Sequence, residues 1–457
     1  MTNIAGLYTA LSGMNAQRRV LDVTAHNIAN QTTEGFHRQR VELKAAGIGS
    51  AARVFAGQGS QLRGVDVVAV TRIVDQLAEN RWVLETARSA GAETTSAELN
   101  RIELAFPEPS DTGLASLLDD FWAGWSDLSM YPAETATRVQ TLERGQSLVD
   151  GLRRAAGDLD QVANTASMAL STLAQEVNDI ARRIADLNSG IATGGLASND
   201  LADQRDVLLR ELAGLTGAVA HPGDGGVVNV SIGGRELVSG VVTQRVQAVG
   251  GVFSWQRDGL AVAAPTSRAA SLVSAVHDVV PRYRAALDGV AASLVTEVNA
   301  LHVDGFDQSG ASGWTFFDPA GVTASTISLS SDVAGRPDRL AAGAPVLPGP
   351  TAPGAFDGDQ ARAIASIADR TVGPDADYRA MVSKLGIEVR TARRGAEIQS
   401  GLTQAAEVRA ASTGGVSIDE EMVTLMASQR AYEASARVLT TVDELMDVLM
   451  RTGMVGR

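Results

Sequence analysis

The sequence predicts a mainly α-helical protein with a β-containing module inserted in its middle, and three observations carry that reading. Apolar residues recur at alternating gaps of three and four at both ends of the chain, the spacing of helices that pack along a narrow seam. The chain changes character near residue 216, beyond which Val228, Val230 and Ile232 alternate with Asn229 and Ser231. Aromatic residues make up 4% of the 457 residues against a hydrophobic fraction of 45%, which favours aliphatic helix packing over aromatic-rich sheets.

The elements follow in order. Ile4, Leu7, Leu11, Met14, Arg18, Leu21, Ala25 and Ile28 form a heptad pattern over the first thirty residues. Gly6 and Gly13 lower its intrinsic helix propensity, so this helix needs a partner. Thr32 to Gly35 end it. Residues 31–71 read as non-helical, punctuated by Gly47, Gly49, Gly57, Gly59 and Gly64, with a short strand at Val65, Val67, Val68 and Val70. A helix is expected from Arg72 to Leu104, stopped by Pro107 and Pro109. Leu114, Leu117, Leu118, Phe121, Trp122, Trp125 and Leu128 mark an amphipathic helix whose aromatic stripe reads as core. A longer helical region runs from Ala133 to Ile191, and Ser198-Asn199-Asp200 supply N-cap residues for a helix through Leu215.

Beyond residue 216, Gly233-Gly234 joins two strands as a hairpin, and strands continue to Val262. A helix spans Ala269 to His302. Residues 303–356 are loop and strand, with Trp314, Phe316 and Phe317 as core and prolines at 337, 345, 348, 350 and 353. Helix returns from Asp359 to Ala411. Ser417-Ile418-Asp419-Glu420 is a capping box that opens a C-terminal helix of about thirty residues. Its seam is Ile418, Met422, Leu425, Gln429, Tyr432, Ala436, Leu439, Val442, Met446 and Leu449. Two narrow seams at the two extremities predict that the terminal helices pair as a coiled coil, with helical-bundle flanks and a smaller β domain between.

Composition excludes several function classes. Cysteine is absent, which removes disulfides, thiolate metal sites and cysteine nucleophiles. A net charge of −14 lacks the basic footprint of a nucleic-acid binder. No apolar run reaches a membrane span, and the start of the chain does not resemble a cleaved signal peptide. The five histidines show no paired metal spacing, and no phosphate loop, dinucleotide fingerprint or nucleophile elbow occurs, so no catalytic, cofactor or metal residue is assigned. Asp304, Asp307 and Ser309 read as a turn rather than a cation loop. Asp200, Asp203, Arg205 and Asp206 read as structural Arg–carboxylate pairing.

The residues at both ends then point to a family. Ala10-Leu11-Ser12-Gly13-Met14-Asn15-Ala16-Gln17 and Leu21-Asp22-Val23-Thr24-Ala25-His26-Asn27-Ile28-Ala29-Asn30 resemble the N-terminal signature of the bacterial flagellar rod, hook and hook-associated axial proteins. Gln31-Thr32-Thr33-Glu34-Gly35-Phe36 continues it, with Glu34 where that family usually has proline. The stretches Val416 to Met422 and Gln429 to Leu445 are similar to the terminal helix of the hook-associated members, as are Pro109 to Leu114 with Phe121, and Asn199 to Asp206.

The resemblance implies a structural subunit without catalysis or cofactor. It implies unfolded export by the flagellar type III apparatus without a cleaved signal, with an export chaperone, to the extracellular flagellum. There the subunit forms the hook–filament junction as a ring of copies of itself at the hook tip. Hook subunits lie below, and the second junction protein and the filament above; no nucleic acid or membrane is a partner. The implied layers are an inner coiled coil (1–71 with 413–457), a helical rod domain (72–215 with 357–412) and an outer β-containing domain (216–356). Folding of the terminal helices is expected to couple to assembly. The residues expected to carry self-assembly are Leu7, Leu11, Met14, Leu21, Asn27, Ile28, Asn30, Met422, Leu425, Gln429, Tyr432, Ala436, Leu439 and Met446. A hook or distal-rod axial subunit is the alternative, and an exported cell-wall enzyme a remoter one.

Overall fold

The computed structural model describes residues 2–46, 64–194, 198–346 and 352–454. Gly47, Gly49, Gly57 and Gly59, and Pro348 and Pro350, lie outside the described residues.

A 58-residue helix, α4 (Thr135–Ala192), is the spine of the molecule. At 1.5 Å per residue it is roughly 87 Å long, and its apolar stripe serves two cores in succession. The N-terminal half, from Leu142 to Val162, packs with α2 (Gln76–Leu104), α3 (Leu114–Met130), α7 (Val280–Asp304) and α9 (Pro374–Gly414). Within it Phe121, Trp125, Phe316 and Phe317 meet tilted or edge-on, with ring centroids 4.8–6.3 Å apart. The C-terminal half, from Ala166 to Ala185, packs with α5 (Ser198–Thr216), the strands between Val219 and Trp255, and α6 (Arg268–Ser274).

The expected outer β-containing domain spans residues 216–356. Only its first part forms sheet: β3 (Val219–Pro222), β4 (Val228–Ile232), β5 (Arg235–Ser239) and β6 (Val242–Thr243) in one antiparallel sheet, and β7 (Val246–Val249) with β8 (Val252–Trp255) in another. The chain then returns to the first core, where Tyr283, Leu287, Phe316, Phe317, Ile327 and Leu340 are buried. The reason is length: a helix with an unbroken apolar stripe can cover both a bundle and a sheet, so the module is wrapped on α4 rather than set apart from it. The β4–β5 hairpin turns at Gly233 and Gly234, both at positive φ (57° and 84°), a turn that side chains with a Cβ rarely adopt.

Several expected helices begin or break elsewhere, each for a local reason. Arg72 ends β2 (Val65–Arg72), which pairs with β1 (Gln39–Ala45), and α2 starts only after Asp75, whose carboxylate accepts from the Leu77 and Ala78 amides at 3.1 Å. The expected Ala269–His302 helix carries a wide turn at Ala275–Val279, next to Pro281, which has no amide to donate. The expected Asp359–Ala411 helix is split into α8 (Asp359–Ala365) and α9 by Gly373 and Pro374. Among the described residues no helix is long and apolar enough to cross a membrane.

Candidate assembly surface

The first and last helices, α1 (Thr2–Ala29) and α10 (Ile418–Met454), lie against each other. A Cβ added at Gly6 would lie 3.8 Å from Val442 Cγ2, one at Gly13 would lie 3.4 Å from Ser435 Oγ, and Asn27 Nδ2 donates to Glu421 Oε2 at 3.1 Å. Residue numbers rise along one helix as they fall along the other and share one total, 448, so the pair is antiparallel and in constant register. Gly6 and Gly13, which weaken α1 as an isolated helix, both face α10.

The α10 seam passes one residue earlier than its apolar pattern predicts. Glu421 and Ser428 are buried and Ser435 half-buried, while Met422 is 44% exposed and Gln429 lies in solvent. Ser435 lies opposite Gly13, a pairing of small residues that lets the helices approach. Leu425, Tyr432, Ala436 and Leu439 are half-buried beside this seam, as are Leu7, Met14, Leu21 and Ile28 on α1. Leu11 and Met446 are exposed at 39% and 38%. Further apolar side chains stand in solvent beside them: Tyr8 on α1, and Ile418, Val423, Met426, Val438, Leu445 and Met450 on α10.

Asn27 and Asn30 have intramolecular work. The Asn27 carboxamide pairs with the backbone of Gln39 in both directions, donating to its carbonyl and accepting from its amide at 2.9 Å, and so starts β1 while also holding α10 through Glu421. Asn30 Nδ2 donates to the His26 carbonyl at 3.0 Å and caps the end of α1. Arg38 closes the joint: its Nε and Nη1 lie 2.6 Å from Glu421 and Glu420, and its amide donates to the Gly414 carbonyl at 2.8 Å. Glu420, expected to reach back to Ser417, reaches Arg38 instead. The buried Glu421 is the residue that sequence reading missed. Its partners are 394 and 383 residues away, and a carboxylate at a helix start signals only a first turn.

The joint continues into the helical body. Gln39 Nε2 and His26 Nε2 meet Asp200 Oδ1 at 2.8 and 3.1 Å. His37 Nδ1 lies 2.7 Å from Asp203, and its Nε2 lies 3.4 Å from Glu79. Arg72 Nη1 bridges Asp203 and Asp206, 2.7 Å from each. Burial pushes the His37 pKa down, but the hydrogen bonds and charges of Asp203 and Glu79 outweigh it and hold it at about 9. His37, Asp203 and Asp206 are spaced as a metal site would be, yet Arg72 already stands between the two carboxylates and His37 is protonated at neutral pH, so the donor set is occupied by cations of the chain. Arg205, expected to pair with these carboxylates, turns the other way to Asn188 Oδ1 (3.0 Å) and the Gly226 carbonyl (2.9 Å). Asp307 forms the expected turn, accepting from the Ser309 and Ala311 amides at 2.8 and 2.9 Å.

Comparison with known proteins adds three observations. Residues 99–317 match the family described as the flagellar hook-associated protein FlgK helical domain; residues 410–452 match the flagellar basal body rod FlgEFG protein C-terminal family, and residues 7–37 the flagella basal body rod protein family. The chain is 27% identical to flagellar hook-associated protein 1 of Bacillus subtilis over 510 aligned residues, covering 99% of both chains. It is 24% identical to the protein of that name from Escherichia coli, over 96% of this chain and 98% of the relative. The fold is similar to that of the flagellar hook junction protein FlgK from Burkholderia pseudomallei, with a TM-score of 0.64 and 13% identity over 72% of this chain and 99% of that one.

Proposed function

Because the chain belongs to the FlgK-type flagellar hook-associated proteins, a structural and non-enzymatic family of the flagellum, we propose that it forms the hook–filament junction by assembling as a ring of identical subunits at the hook tip. The observation that carries this reading is the contrast between closed and open surfaces. The two cores bury their apolar stripes within the subunit. The α1–α10 pair has a thin seam of small and polar residues and leaves Tyr8, Leu11, Met422, Met426, Val438, Leu445 and Met450 in solvent. Covering the exposed part of each such side chain contributes roughly 1 kcal/mol. A pair of copies on either side would supply that cover and offset the entropy of ordering two terminal helices.

On this reading the ends are largely disordered in the free subunit and become helical on assembly. They are the parts matched to rod proteins, while residues 99–317 match the hook-associated family, which favours the junction over a rod or hook subunit. Hook subunits lie below, and the second junction protein and the filament above. Leu439→Asp should leave the two cores intact and abolish incorporation at the hook, giving cells with hooks but no filaments by electron microscopy. Normal filaments on that variant would overturn the reading. Limited proteolysis of the purified subunit should trim both ends before the middle.

A further inference from the structure

Five of the ten methionines of the chain (Met422, Met426, Met446, Met450 and Met454) fall within the 37 residues of α10. The first four are 44%, 47%, 38% and 71% exposed. The chain has no cysteine, so thioethers are its only soft sulfur. Exposed thioethers are open to two-electron oxidants, and a sulfoxide is too polar to be buried cheaply in an apolar contact. In a four-residue spacing, Met422 with Met426 and Met446 with Met450 double the effect on one helix turn.

We propose that the methionine face of α10 is a peroxide-reactive modification site whose oxidation blocks addition of the subunit to the flagellum. The thioether sulfur attacks one peroxide oxygen. An S–O bond forms as the O–O bond breaks, sulfur loses two electrons, and the departing oxygen leaves as water. The polar sulfoxide then stands where a neighbouring copy must seat an apolar side chain. Once assembled, the same sulfurs are covered and protected. This rests on the proposed assembly role of α10. Met130 and Met168, 61% and 60% exposed but on α3 and α4, oxidise without that consequence, and Met381, 6% exposed, is protected by its core.

The test uses full-length protein added to cells of a deletion strain, with filament counts as the readout and peptide mass spectrometry to place the added oxygens. Limiting hydrogen peroxide should oxidise the four exposed α10 methionines at least about tenfold faster than Met381, and oxidised protein should lose at least about tenfold in filament restoration. Whatever filament restoration the fourfold Met→Leu variant at 422, 426, 446 and 450 gives without peroxide should be unchanged by peroxide treatment. The fourfold Met→Gln variant should fail without peroxide, whereas Met130→Gln with Met168→Gln should not. Equal peroxide sensitivity of the Met→Leu variant and the natural chain overturns the proposal and leaves the assembly reading standing. Normal assembly of the Met→Gln variant, alongside failure of Leu439→Asp, overturns it as well.

Discussion

His302 makes the sharpest quantitative prediction. It is fully buried in the first core, where Nδ1 donates to the Trp314 carbonyl at 2.7 Å and Nε2 accepts from the Ala341 amide at 3.0 Å. That arrangement requires the neutral ring with its proton on Nδ1. Burial lowers its pKa to about 4, against 6.5 for an unfolded histidine. A base depressed on folding stabilises the protein fully above its unfolded pKa, and that stability is lost as pH falls from 6.5 towards 4. The unfolded chain binds the proton about 300-fold more strongly than the core does, which at about pH 5 shifts the unfolding equilibrium about thirtyfold, a loss of about 2 kcal/mol, rising to about 3 kcal/mol below pH 4. His302→Gln keeps an acceptor for Ala341 and loses the Trp314 bond, so it should cost about 1–3 kcal/mol at neutral pH but remove the acid-sensitive part. Urea unfolding followed by tryptophan emission at about pH 7.5 and pH 5 measures both, since Trp125 lies 5.9 Å from the imidazole. Carboxylate titrations are common to both proteins and cancel in the difference. If the natural chain and the variant lose the same stability between the two pH values, the ring is not held neutral and the reasoning fails.

His37 should behave in the opposite sense: raised to about 9, it stabilises fully below 6.5 and loses that contribution as pH climbs through 9. An imidazole titration by NMR with a midpoint below 7 would contradict the joint as described. Gly13→Ala places a methyl at 3.4 Å from Ser435 Oγ and gains helix propensity, so assembly should be kept, whereas Gly13→Leu should push α1 from α10 and abolish filament growth. On α4, Gly145→Ala sets a Cβ 2.8 Å from Phe316 Cζ inside the aromatic cluster and should cost about 1–3 kcal/mol in urea unfolding. Gly157→Ala meets nothing within 4 Å and should stabilise by roughly 0.5–1 kcal/mol.

Periodicity revealed the helices because an apolar face needs only a local repeat to be seen. Both terminal helices, α3 and α4 were legible for that reason. What the repeat could not show was the partner. The stripe of α4 reads the same where it meets Phe316 and where it meets Trp255, so two cores looked like one helical domain with an attached module. On α10 the three-and-four spacing pointed to a seam through Met422 and Gln429, and the buried positions are Glu421 and Ser428. Small and polar residues at a close helix crossing leave no hydrophobic signature. The joint was invisible for a further reason: Asn27, Arg38, Asp200, Asp203 and Glu421 come from three distant segments, and only folding brings them together.

The chemistry of that joint suits the proposed assembly. Where α1 and α10 meet the body, the contacts are Arg38 with Glu421, Gln39 with Asp200 and His37 with Asp203, rather than leucines in a groove. An apolar joint would expose a sticky surface whenever the ends came undone, and subunits would associate through it before reaching the hook. Charged and hydrogen-bonding groups are well solvated when apart, so an opened joint exposes no sticky apolar surface. The same groups are directional. When the terminal helices order between their neighbours, Asn27 can satisfy Gln39 and Glu421 together only at one angle of α1 to β1. The apolar faces of the helices would then supply the affinity for other copies, and the polar joint would fix the geometry in which the body is held.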